Sequence, residues 1–169
     1  MTNNILNWSK SILVITPACW LNLVQSVPME LLSVRPAPNE WSAIECLQHM
    51  VDVERDSFPV RIKALLAQQP FAAFNPEDQP PKPAPTVALA DEFNQLRQET
   101  LVLFNQITET DLDNQSLHGE YGMVTMRQFV HHMAGHDLNH LVQAERALMQ
   151  PFIQGCGPWV VNYEDHIAK

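Results

Sequence analysis

Two positions in this chain of 169 residues carry the same helix-start signal, and the apolar pattern behind each of them decides the fold class. Ser42-x-x-Glu45 and Thr125-x-x-Gln128 read as capping boxes, in which the hydroxyl accepts the N–H three residues on and the Glu or Gln side chain accepts from the cap's own N–H. Behind the first, Ile44, Leu47, Met50, Val51, Phe58, Ile62 and Leu65 recur at helical spacing to about Gln69. Pro59 is expected to kink that helix, because it removes one ladder bond. Behind the second, Met126, Phe129, Val130, Met133, Leu141, Ala144 and Leu148 repeat the pattern as far as about Met149.

Two further helices complete the set. Thr16-Pro17 reads as a start, with Trp20, Leu23, Val24 and Val27 on one side of the resulting helix. Leu89, Phe93, Leu96, Thr100, Leu103 and Ile107 step by four and three alternately, the seam of a bundle helix. Six prolines between Pro70 and Pro85 mark a long loop, Glu109 to Val124 reads as a polar loop, and Gly155-Cys156-Gly157-Pro158 opens an irregular tail. No run alternates with period two and no repeat is present. The expected fold is therefore all-α: a four-helix bundle with a long crossover loop between its second and third helices. It forms one domain over residues 1–169, with a core at about 16–149 and a tail at 150–169.

Charge narrows the function classes. Ten Lys and Arg against nineteen Asp and Glu give a formal net charge of −9, which disfavours nucleic acid and acidic membrane surfaces. The apolar segment Ser11 to Val24 is interrupted by Pro17 and Asn22 and is followed by no small-x-small cleavage site, so it does not read as a signal peptide. Cys19, Cys46 and Cys156 are too few and too scattered for a disulfide framework or a cysteine zinc site, and a cytoplasmic setting is expected.

Histidine is the unusual residue: four of the seven, His131, His132, His136 and His140, fall within ten positions. On a helical wheel His140 lies inside the apolar arc of the last helix, His136 at its edge, His132 further round and His131 on the far side. His136 and His140 are i and i+4, so both rings reach one ion. His132 and His140 are about 12 Å apart along the axis, too far to share it. A third ligand must come from another helix, and His49 stands at the margin of the second helix's apolar arc, beside Glu45, Asp52 and Asp56. Three neutral imidazoles with an open fourth position is the catalytic type of metal site, suited to Lewis-acid chemistry.

The run Trp41-Ser42-x-x-Glu45-x-x-x-His49-x-x-Asp52-x-Glu54, followed by His136-Asp137-x-x-His140-x-x-Gln143, resembles the DinB/YfiT superfamily of helical-bundle metalloenzymes over roughly Thr16 to Met149. The resemblance implies a four-helix bundle of that type, a homodimer, and a divalent ion, Zn²⁺ or Ni²⁺, on His49, His136 and His140. It also implies a small-molecule substrate and either metal-dependent hydrolysis or S-transfer with a low-molecular-weight thiol. The alternative is a non-catalytic metal-binding or stress-associated interaction module.

The remaining candidates each have a plainer reading. Histidine pairs on helices also occur as core or capping residues, and it is His49 that makes this pair a site. Glu45 is a candidate general base but is already used by the capping box. Asp52 either orients a ligand ring or is solvated. Asp137, a buried acid, serves either an inter-helix hydrogen bond or the metal from behind. Glu54 and Arg61 suggest a partly buried charge network that includes Arg97. Cys46, one turn before His49, reads as a small apolar residue. His118 reads as surface loop, and the Phe71–Phe74 stretch as a solvated crossover.

Overall fold

The computed structural model describes residues 4–76 and 86–168. Its helices are α1 (Ile5–Ser26), α2 (Met29–Leu32), α3 (Ala43–Asp56), α4 (Phe58–Leu66), α5 (Thr86–Phe104) and α6 (Met126–Gly155). An antiparallel hairpin, β1 (Gln115–His118) and β2 (Gly122–Thr125), precedes α6, and a 3-10 segment, Gly157–His166, comes after it. The bundle consists of α1, the α3–α4 pair, α5 and α6. Both α1 and α3 pack against α5 and α6, so α1 faces α3, and α5 faces α6, across the bundle diagonal. The expected long crossover loop joins α3–α4 to α5, which lie side by side, and the diagonal connections are those from α1 to α3 and from α5 to α6. Residues 77–85 of the proline-rich connection lie outside the described residues.

Both capping boxes form as expected. Ser42 N–H donates to Glu45 Oε2 at 2.9 Å, and Thr125 N–H donates to Gln128 Oε1 at 2.8 Å. The expected kink at Pro59 becomes a break at Ser57. Pro59 then falls in the first turn of α4, where a missing N–H has no intrahelical partner to lose.

The start of α1 is a correction. The helix begins at Ile5, and Pro17 lies inside it. Proline at 17 leaves the Leu13 carbonyl without its ladder donor, and Arg97 Nη1 donates to that carbonyl at 3.0 Å. The Thr16 hydroxyl does not cap; it donates to Asp137 Oδ2 at 2.5 Å. A distant guanidinium thus completes a helix that local rules would stop.

Arg97 belongs to a polar layer built from all four bundle helices: Thr16 of α1, Glu54 of α3, Arg97 of α5 and Asp137 of α6, each 1% exposed or less. Arg97 makes two bonds to Asp137, at 2.6 and 2.9 Å, and one to Glu54 at 2.7 Å. Apolar clusters lie on either side of the layer, one around Leu13, Phe58, Phe104 and Met133, the other around Trp20, Met50, Phe93 and Ala144. Arg61, expected in this network, is absent from it.

One cation faces two carboxyls here, and burial pushes the Glu54 carboxyl above its usual range against the pull of Arg97. Asp137 holds the guanidinium with both oxygens and is the stronger partner. Glu54→Gln is therefore expected to change stability by less than about 1 kcal/mol, and Asp137→Asn to cost about 3 kcal/mol. Urea unfolding of the two variants checks the order; equal losses would show that the two acids share the charge evenly.

The hairpin was not expected from the sequence, in which Glu109 to Val124 reads as loop. Its alternation is inverted: Ser116 and His118 are buried while Leu117 is 51% and Met123 60% exposed, so no apolar period marks it. Gly122, at φ +74°, supplies the left-handed turn residue. Phe71 pairs with this hairpin, its N–H donating to Leu117 O at 3.1 Å and its carbonyl accepting from Gly119 N–H at 3.0 Å. The tail, expected to be irregular, forms the 3-10 segment Gly157–His166. Arg146 donates to the carbonyls of His166 and Ile167, and the Gln150 amide exchanges hydrogen bonds with His166 O and Ala168 N–H.

Candidate metal centre

His49 stands in the second turn of α3, and His136 and His140 one turn apart on α6, which packs against it. Their rings converge from two helices on one point. His136 Nε2 is 3.1 Å from His49 Nε2 and 3.2 Å from His140 Nε2, and the three ligand atoms all lie within 4.8 Å of one another. A tetrahedral ion with Zn–N bonds of about 2.0–2.1 Å holds its nitrogens about 3.3 Å apart. Two of the three spacings already match such an ion, and the third pair of nitrogens lies within 4.8 Å.

Electrostatics agree with that fit. Burial, reinforced by the neighbouring imidazoles, pulls His49 down to about 3 and His136 to about 2. His140 is lowered too, by burial first, with Gln143 and Asp137 opposing. The trio is thus neutral at neutral pH, the protonation state that binds metal. The Nδ1 atoms of all three are buried with no hydrogen-bond partner among the described residues. Aromatic packing supports the rings: Trp41 stacks on His140 with centroids 5.9 Å apart, and Phe58 meets His136 edge-on at 5.4 Å.

Unfolding protein freed of metal should expose these imidazoles to protons. Folded-state values far below the ordinary 6.5 mean that the unfolded chain binds more protons, so stability is full above about pH 6.5 and falls as pH drops toward 3. At pH 5 the loss should be about 2 kcal/mol for each of His49 and His136. Urea midpoints of chelator-treated protein at pH 7.5 and 5.0 measure it; an unchanged midpoint would mean the rings are solvated.

The acids weighed for catalytic roles are engaged elsewhere. Glu45 pairs with Arg35 as well as serving its capping box. Asp52 pairs with Arg55 at 2.9 Å, and Asp137 is held by Arg97 and Thr16. None of them takes a ligand Nδ1–H. The Cys46 thiol is buried and pushed up to about 12, with its Sγ 3.9 Å from Gln143 Oε1, so it is protonated and unreactive. His132 lies one turn before His136, its ring 5.5 Å away and outside the trio, and His131 is exposed. His118, expected on the surface, is buried between Phe71 and Tyr121.

Two depressions meet at the trio. One of about 520 Å³ is lined by Trp41, His49, His140, Gln143 and Arg146. Another of about 220 Å³ is lined by His49, His136, Phe58, Phe74 and Arg61. Each shows two of the three imidazoles to a ligand. Trp41 was legible only as a motif residue before the first capping box; its role as a wall comes from the α3–α6 packing.

The profile of the DinB superfamily matches residues 12–144. The chain belongs to the DinB superfamily. Among solved structures, this DinB protein is similar to YfiT from Bacillus subtilis, described as a probable metal-dependent hydrolase with an unusual four-helix bundle topology. The TM-score is 0.74 at 14% identity, over 90% of this chain and 89% of that one, a likeness of fold. No curated protein matches the DinB chain in sequence. Among its described residues no helix is long and apolar enough to cross a membrane.

Proposed function

We propose that this DinB protein is a divalent-metal-dependent hydrolase in which His49, His136 and His140 hold the ion. The observation that carries the reading is the convergence of three Nε2 atoms at 3.1 and 3.2 Å steps, where two depressions each reach two of the rings. Three protein ligands facing an accessible fourth position is the catalytic pattern, and the description of YfiT supports hydrolysis as the reaction class. Zn²⁺ and Ni²⁺ suit an all-imidazole set best. Bound there, the ion supplies Lewis acidity towards water or a substrate carbonyl.

The chain's own residues do the positioning. Trp41 and Phe58 press on His140 and His136 and keep the Nε2 atoms aimed inward. The pairing of Asp137 with Arg97 engages that carboxylate away from the adjacent imidazoles. Gln143 lines the cleft beside His140 and offers an amide donor to a polar substrate group, while Arg146 beside it is held by Glu40.

Elemental analysis of protein purified without an affinity tag is the first test. Close to one equivalent of a transition metal is expected, and less than about a tenth after incubation with metal salts would overturn the reading. Metal-loaded protein is then assayed on ester and amide panels. Turnover there, abolished by chelation, is expected. Turnover only with a low-molecular-weight thiol added would reassign the reaction to S-transfer, and metal binding without turnover would favour an interaction module.

A further inference from the structure

Five of the six arginines in this acidic chain form ion pairs: Arg35, Arg55, Arg97, Arg127 and Arg146. Arg61 of α4 is the exception. Its guanidinium has no hydrogen bond or ion pair among the described residues, although it is half-buried and lies over the Phe71 ring at 5.8 Å. Exposed Glu120 is close enough to act on it electrostatically but does not pair with it.

A second unpaired donor lies nearby. His118 Nδ1 accepts from the N–H groups of Glu120 and Tyr121 at 3.0 and 3.3 Å, which places the ring proton on Nε2. That Nε2 is buried without a partner among the described residues, in a side chain 5% exposed. A buried donor left unmade costs stability, and a ligand acceptor would recover it. Arg61 and His118 both line one groove of about 390 Å³, together with Tyr121, Gln128 and His132 and an apolar wall of Phe71, Met123 and Phe129. Arg61, Tyr121 and His132 also belong to the depression that holds His49 and His136. A molecule anchored at Arg61 therefore lies along a continuous path to His49 and His136.

We propose that this groove is a substrate subsite for an oxyanion, a carboxylate or a phosphate, carried on an apolar body and held by the Arg61 guanidinium with the His118 Nε2–H beside it. Two donors without partners among the described residues lie at the polar end, the planar fork of arginine matches two oxygens of such a group, and the apolar walls accept the rest of the molecule. As a substrate subsite it rests on the metal-centre reading; as an anion site it stands alone.

Calorimetric titration with 4-phenylbutyrate, phenyl phosphate and 4-phenylbutyramide tests it, on both chelator-treated and zinc-loaded protein. At least one anion should bind at least tenfold more tightly than the amide, and comparison of the two anions tells carboxylate from phosphate. Arg61→Met keeps the apolar stem and should weaken the anion roughly ten- to a hundredfold, leaving the amide unchanged. Arg61→Lys keeps the charge but not the fork and should weaken it about threefold or more; it decides the matter if Arg61→Met fails to fold. Equal binding of anion and amide, or anion binding unaltered by both variants, would overturn the proposal. Binding confined to zinc-loaded protein and indifferent to Arg61 would also overturn it, while leaving the metal centre intact. Arg61-dependent binding in protein that takes up no metal would support it and count against the metal centre instead.

Discussion

Arg97→Met should cost about 3–5 kcal/mol, the largest loss expected from any single substitution in the bundle. The guanidinium is wholly buried and is the one cation bonded to both Glu54 and Asp137. Removing it leaves two carboxyls in a low-dielectric layer with no counter-charge, and strands the Leu13 carbonyl that Pro17 had already deprived of its donor. These contributions separate. Adding Pro17→Ala to Arg97→Met restores the ladder bond and should return about 1 kcal/mol, whereas Pro17→Ala alone should be nearly neutral because Arg97 already serves that carbonyl. Replacing the charged set together, with Glu54→Leu, Arg97→Met and Asp137→Leu, should recover a larger part, since an apolar layer carries no uncompensated charge. Urea unfolding of the series measures each step. A loss below about 1 kcal/mol for Arg97→Met would mean that the layer is hydrated.

His136→Ala should weaken divalent-metal binding at least about a hundredfold and abolish metal-dependent activity. His136 is the central ring, with its Nε2 within 3.2 Å of both of the other ligand nitrogens, so its loss leaves two imidazoles that no longer share a neighbour. Stability of the metal-free protein should change little, because the deleted ring carried a buried Nδ1 without a partner. The difference lies in the response to metal. The parent gains about 2.7 kcal/mol at a metal concentration a hundred times Kd, and the variant gains almost nothing at the same concentration. Melting curves against added Zn²⁺ and Ni²⁺ show this directly; parallel shifts in parent and variant would remove His136 from the site.

The bundle was legible because its signals are local. Both capping boxes form on the residues that announced them, and the apolar arcs behind them face the core. Where long-range contacts overrule local preference, legibility fails. Thr16-Pro17 looks like a helix start, and only the guanidinium 81 positions away explains why the helix passes through it. The hairpin escaped notice because it buries Ser116 and His118 and exposes Leu117 and Met123. At the candidate site, the facing directions of His49, His136 and His140 could be read from two wheels, and the structure brings the three together. The Arg61–His118 groove could not be read, since it needs the hairpin to meet the segment at Phe71.

The three histidines differ in when they become neighbours. His136 and His140 are adjacent as soon as one turn of α6 winds, an event on the submicrosecond scale for an isolated helix. His49 arrives only after a loop of 87 residues closes and α3 docks. On the proposed three-histidine site, a metal ion present during folding would meet a two-point clip first and a complete cage last, and its grip would tighten as the chain gathers around it. Refolding with metal added at the start should accordingly outpace refolding with metal added at the end, because the clip pins α6 before its partners come.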